Sequence, residues 1–238
     1  MAIEREKILD AALTLLNEVG LDQFSTRRLA ERLGVQQPAL YWHFRNKSAL
    51  LDALNGVMLA RYHKNRLPSP GDRWDDFTLA NARSFRRTLL SVRDGARLNA
   101  GTHPATREFA DAERQLQLYV DAGFTPEEAF NIAIGVTRYV VGFVLEEQGE
   151  RERDDEESEW GGDPMAEVAP FPVLSAALKP LIASGTINTE AVFEAGLGYM
   201  LAGMRAGIPR GHASNRRPRH LPPKTPAPKE DGARRRRR

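Results

Sequence analysis

The sequence predicts an all-α protein, and three observations predict it. Apolar residues recur three and four positions apart through most of the chain, the spacing of one helical face. Gly, Pro and Asn interrupt those runs where helix ends would use them. No stretch alternates convincingly between apolar and polar residues, as a half-buried strand would. At 238 residues, 41% of them hydrophobic, the chain can bury a core as one large domain or two small ones.

Residues 5–19 carry Ile8, Leu9, Ala12, Leu15, Leu16 and Val19 at helical spacing, and Gly20 suits a left-handed C-terminal cap. Thr26 or Ser25 can cap a second helix, TRRLAERL, which buries Leu29, Ala30 and Leu33 and stops at Gly34. A third, short helix starts near Gln36, with Pro38 in its first turn, where a missing N–H costs nothing. Asn46 caps a fourth, which buries Leu50, Leu51, Leu54, Met58 and Leu59. PSPGD at 68–72 reads as a linker. Further helices are expected at 74–92, 95–101 and 105–122. TPEEA at 125–129 opens a long one, with Pro at its first position and Glu in its first turn. That helix is apolar on two sides and is expected to lie buried between neighbours. A charged loop at 149–164 and helices at 173–183 and 189–206 complete the pattern.

The net charge of +2 conceals an asymmetry. Residues 209–238 hold eleven Lys and Arg against two Asp and Glu, which leaves 23 basic and 30 acidic groups in residues 1–208. Pro-rich and Arg-rich, this tail lacks the apolar surface to fold and is expected to be disordered. Any nucleic-acid contact by the acidic body must therefore come from local pattern. The absence of Cys excludes disulfides, Cys-ligated zinc and a thiol nucleophile. The longest apolar run, YVVGFVL, is too short to span a bilayer. The charged start, MAIEREKILD, reads as the beginning of a helix and not as a signal peptide. There is no Gly-rich phosphate loop, nucleophile elbow or His-Glu-x-x-His, so no enzyme and no protein metal site are expected.

Helix, Gly turn, helix is the helix-turn-helix pattern, here resting on a first helix. The second helix would cross a DNA backbone and the third would enter the major groove. That accounts for four consecutive ring side chains, Tyr41 to Phe44, which cannot all face one core. Leu40 and Phe44 turn inward; Gln37, Pro38, Ala39, Tyr41, Trp42 and His43 can turn toward double-stranded DNA. Gln37 can pair with adenine and Ala39 can touch a thymine methyl. Tyr41 and His43 can donate to phosphates, while Thr26, Arg27 and Lys47 can grip the backbone from helix ends. On pattern alone, an exposed aromatic knuckle for protein contact competes with this reading. So does a nonspecific nucleoid-type protein that holds DNA through its Arg-rich tail.

The stretch ALTLLNEVGLDQFSTRRLAERLGVQQPALYWHFRNKSALLDAL resembles the DNA-binding head of the tetracycline repressor family, most specifically in LYWHFRNKSALLDAL. SFRRTLLSVRDGARLNAGTHP at 84–104 and GFVLEEQ at 142–148 resemble its ligand-binding core, so the likeness spans about residues 3–206. The resemblance implies a cytoplasmic, homodimeric repressor that binds a palindromic operator and is released by a small-molecule effector. It implies a head at 1–47, a connecting helix at 48–67, a ligand-binding and dimerisation core at 68–208, and an extra tail. It also implies a cavity lined by His63, Asn81, Phe85, Thr102, Pro104, Gln115 and, across the dimer, Glu146. Two positions depart from it: Asn99 stands where a metal-binding His is expected, and His103 where an Arg is expected. An amide is a poor metal ligand beside an imidazole, so a magnesium-chelated effector is disfavoured and an aromatic or polyketide-like one without metal is preferred. Arg138, in a mostly apolar helix, can pair with an acidic group on the effector or with Glu146 or Glu147 across the dimer. The dimer is expected to be a four-helix bundle of helices 125–148 and 189–206, with Gly196 and Gly203 allowing close approach.

Overall fold

The structure is a computed structural model that describes residues 3–102, 109–154, 164–184 and 187–207. Among them there is no β-strand. The helices are α1 (Arg5–Gln23), α2 (Thr26–Leu33), α3 (Pro38–Tyr41), α4 (Lys47–Tyr62), α5 (Trp74–Leu90), α6 (Gly95–Ala100), α7 (Phe109–Asp121), α8 (Pro126–Asp154), α9 (Pro164–Val168), α10 (Pro172–Ser184) and α11 (Thr189–Gly207). The tail expected at 209–238 lies outside the described residues.

The head is built as its sequence suggests. Ile8, Leu16, Leu29, Leu40, Leu50 and Leu54 share one core between α1, α2, α3 and α4. Ser25, not Thr26, caps α2: its Oγ accepts from Arg28 N at 3.2 Å. Asn46 Oδ1 accepts from Ala49 N at 2.8 Å and starts α4. Gly20 does need positive φ, at 72°, but its ψ of 171° makes it a break within α1 and not the end of the helix. The Leu21 N–H that the break leaves over is taken by Asp94 Oδ2 at 2.6 Å.

The core departs from expectation at three places. α8 continues helical through 149–154, so the charged loop is shorter than its composition suggested. α8 is also buried on one side only: Ala129, Val136, Val140 and Val144 face inward while Phe130 is exposed. It packs on α5, α6, α7 and α11. Its residues 126–150 are long and apolar enough to cross a membrane by composition, but here that apolar surface partly forms a helical core. The short α9 was not foreseen, and none of α10 is buried although it is apolar.

The third concerns the expected dimer faces. Val136, Val140, Phe193, Leu197 and Leu201 are buried within the chain's own core. A Cβ at Gly196 would collide with the Tyr139 ring of the same chain, so this glycine admits Tyr139 and not a partner helix. Tyr139 OH donates to Phe193 O at 2.9 Å across that contact. The large apolar groups exposed on α11 are Val192 and Tyr199.

Candidate DNA-reading head and effector site

In the head, Thr26, Gln37 and Tyr41 form one cluster. Gln37 Nε2 donates to Thr26 Oγ1 at 2.8 Å and stands 3.4 Å from Tyr41 OH. Reading an adenine with both ends of its amide requires Gln37 to release one of these hydroxyls. Trp42 is 89% exposed and Tyr41 44%, while Leu40 and Phe44 are buried. Pro38 is exposed at the first position of α3, and Ala39 and His43 are half-buried. Lys47 Nζ donates to Phe24 O at 2.8 Å, and Arg27 pairs with Glu31 at 2.9 Å on the exposed side of α2. The exposed Arg27–Glu31 pair contributes at most about 1 kcal/mol and exchanges readily for a phosphate. Arg45 is exposed directly after the aromatic run.

In the core, α4 delivers His63 to α5. His63 Nδ1 lies 3.0 Å from Ser84 Oγ, which also accepts from Asn65 N at 3.2 Å. Its Nε2 is 3.5 Å from Asn81 Nδ2, and its ring stacks on Phe85 with centroids 5.4 Å apart. Asn81 donates to Asn65 O at 2.9 Å, and Gln115 Nε2 donates to Arg66 O at 2.6 Å. So His63, Asn81, Phe85 and Gln115, distant in sequence, meet around the chain at 63–66. Burial pushes the His63 imidazole down to about 4, with the charges of Arg66 and Arg87 adding to the effect. It is therefore neutral at neutral pH, a hydrogen-bonding group and not a cation. Ser84 and Asn65 were not singled out in the sequence, since neither residue type signals a site alone.

Asn99, on α6, donates through Nδ2 to Asn55 Oδ1 of α4 at 3.2 Å, and Thr102 Oγ1 donates to Asn99 O at 3.1 Å. His103 and Pro104 lie outside the described residues. Among the described residues no three His, Asp or Glu side chains converge as a metal site. What stands where the resemblance leads one to expect a metal-binding His is a neutral amide whose Nδ2 is engaged with a second amide. Arg138 and Glu146 lie elsewhere. Both are exposed and line a cavity of about 440 Å³ with Tyr139, Phe143 and Val192 on the α8–α11 side. Glu147, on the same cavity, is bound by Arg86 at 3.0 Å.

Fold and clusters together define a class: a helix-turn-helix regulator whose head is carried on a helical core with an internal polar site. Comparison with known proteins agrees. Residues 8–54 match the family described as bacterial regulatory proteins, tetR family, and residues 67–208 match the tetracyclin repressor-like C-terminal domain. The chain is 47% identical over 203 residues to the class A tetracycline repressor protein from transposon 1721 of Escherichia coli, covering 85% of this chain and 90% of that one. It is similar to the structure of a substituted TetR from Acinetobacter baumannii AYE in complex with minocycline, with 41% identity, a TM-score of 0.68 and coverage of 86% and 97%. It is also similar to class A TetR in complex with 5a,6-anhydrotetracycline and magnesium, with 39% identity, a TM-score of 0.67 and coverage of 86% and 99%. The chain belongs to the tetR family of bacterial regulatory proteins. It is a ligand-responsive transcriptional repressor that acts on operator DNA as a homodimer.

Proposed function

We propose that this repressor is released from its operator by a polyketide-like effector, of the tetracycline type or related to it, without a metal ion. In this reading Gln37 reads a base, while Thr26, Arg27, Pro38, Ala39, Tyr41, Trp42, His43 and Lys47 position the head. The effector occupies the core beside His63, Asn81, Phe85, Asn99, Thr102, His103, Pro104 and Gln115, with Glu146 reaching in from the second subunit. Arg138, on the separate α8–α11 cavity, pairs with an acidic group of the effector or with Glu146 or Glu147 across the dimer. The head comprises residues 1–47, the lever 48–67 and the core 68–208. The protein works in the cytoplasm, where operator DNA is, and performs no catalysis of its own.

The observation that carries the metal-free part is that Asn99, its Nδ2 tied to Asn55 Oδ1 at 3.2 Å, stands where the resemblance leads one to expect a metal-binding His. A metal chelate would have to rely on the neutral Oδ1 of that amide, with no cluster of His, Asp or Glu among the described residues to share the ion. An effector can release DNA only by preferring the conformation that does not bind it. The test is operator release by 5a,6-anhydrotetracycline in EDTA and in added magnesium. Release in both conditions is expected; release that vanishes in EDTA would overturn the metal-free reading.

A further inference from the structure

We propose that Asn55 and Asn99 together form a hydrogen-bonding subsite that reads adjacent keto and hydroxyl groups on the effector. The inference rests on the metal-free reading above and adds a residue to it, Asn55. Asn55 is only 8% exposed, on a helix, α4, whose Leu50, Leu54 and Met58 are also buried. A buried amide is destabilising unless its polar atoms are paired. The one hydrogen bond to the Asn55 side chain among the described residues comes from Asn99.

That single bond leaves most of the pair's capacity unused. Asn55 Nδ2 still has both N–H donors, and Asn99 Oδ1 still has its lone pairs. Among the described residues no fully buried side-chain nitrogen or oxygen lacks a partner. The open atoms of this pair are therefore not sealed off from water. Exchanging N and O in both amides changes only which residue supplies which group. In either arrangement α4 and α6 present one neutral donor beside one neutral acceptor. The complement is an uncharged group with acceptor and donor side by side, such as the keto–enol edge of a polyketide.

The position suits an elongated ligand. Eight residues separate Asn55 from His63 on α4, about 12 Å along the axis. A fused polycycle of that length would meet His63 and Asn81 at one end and the two amides at the other. Thr102 Oγ1 holds Asn99 O at 3.1 Å, which fixes the end of α6 that carries the subsite.

The test is a fluorescence titration of the full chain with 5a,6-anhydrotetracycline in EDTA, for wild type, Asn55→Ala, Asn99→Ala and the double variant. Each single variant is expected to bind about tenfold more weakly. The double variant is expected to lose little more, because the two amides act as one unit. Operator affinity without ligand is read in parallel; where Asn55→Ala lowers it, Asn55→Ser takes its place. Single variants that bind within twofold of wild type in EDTA overturn the subsite and leave the metal-free reading standing. Wild-type binding that requires magnesium, or no binding in either condition, overturns both.

Discussion

His63 behaves unlike its free amino acid. In the fold it stays neutral down to about pH 4, whereas in the unfolded chain it takes up a proton near the ordinary imidazole value of about 6.5. The unfolded state therefore binds more protons between those values, and stability falls as pH drops through that window. At pH 5 the loss reaches at most about 2 kcal/mol relative to pH 7. Urea midpoints at the two pH values check this. His63→Gln is expected to remove most of the difference, and an unchanged difference would assign it to other groups. The sequence marked His63 only through resemblance, because the shift arises from Arg66, Arg87 and burial, and burial is a tertiary property. Asn46 was readable directly, since a helix cap depends only on residues three apart. Asn55 was not, because a lone Asn in an apolar helix gives no sign of the amide that it meets.

Among the elements, the contact between α1 and the start of α6 joins head to core. Arg93 N donates to Asn17 Oδ1 at 2.9 Å, and Arg97 forks onto Asp22 at 2.7 and 3.0 Å. Asp94 takes the Leu21 N–H released by the break at Gly20. A Cβ at Gly20 would lie 3.0 Å from Asp94 Oδ2, on a backbone with φ of 72° that disfavours any side chain. Gly20→Ala is accordingly expected to destabilise the protein by about 1–2 kcal/mol in urea unfolding. A neutral effect would mean that the break relaxes into continuous helix. The sequence identified the glycine but not its partner: a positive φ reads as a helix end when the residue 74 positions away is unseen. The same limit explains α8 and α10. Periodicity reports that a face is apolar, but not whether the chain itself covers it.

For the whole molecule, the helix-turn-helix head and all-α class were readable because both follow from short-range spacing. The division of apolar surface between internal core and dimer was not, and Val140 and Phe193 went to the former. Charge adds a separate term. Residues 209–238 carry eleven basic groups against two acidic ones, beside a net-acidic body. Deleting them is expected to flatten the log–log salt dependence of DNA affinity by about 0.9 for each phosphate they neutralise. The protected sequence is expected to stay the same; a shifted footprint would assign sequence reading to the tail.

The central claim is that the head of a homodimer reads DNA specifically and that an effector in the core releases it. The most direct measurement is a DNase footprint of the full chain, repeated with 5a,6-anhydrotetracycline in EDTA. The account predicts a short footprint with two-fold symmetry, its half-sites about one helical turn or a multiple apart, that disappears when the ligand is added. Diffuse protection without symmetry, or a footprint that survives saturating ligand, would contradict it.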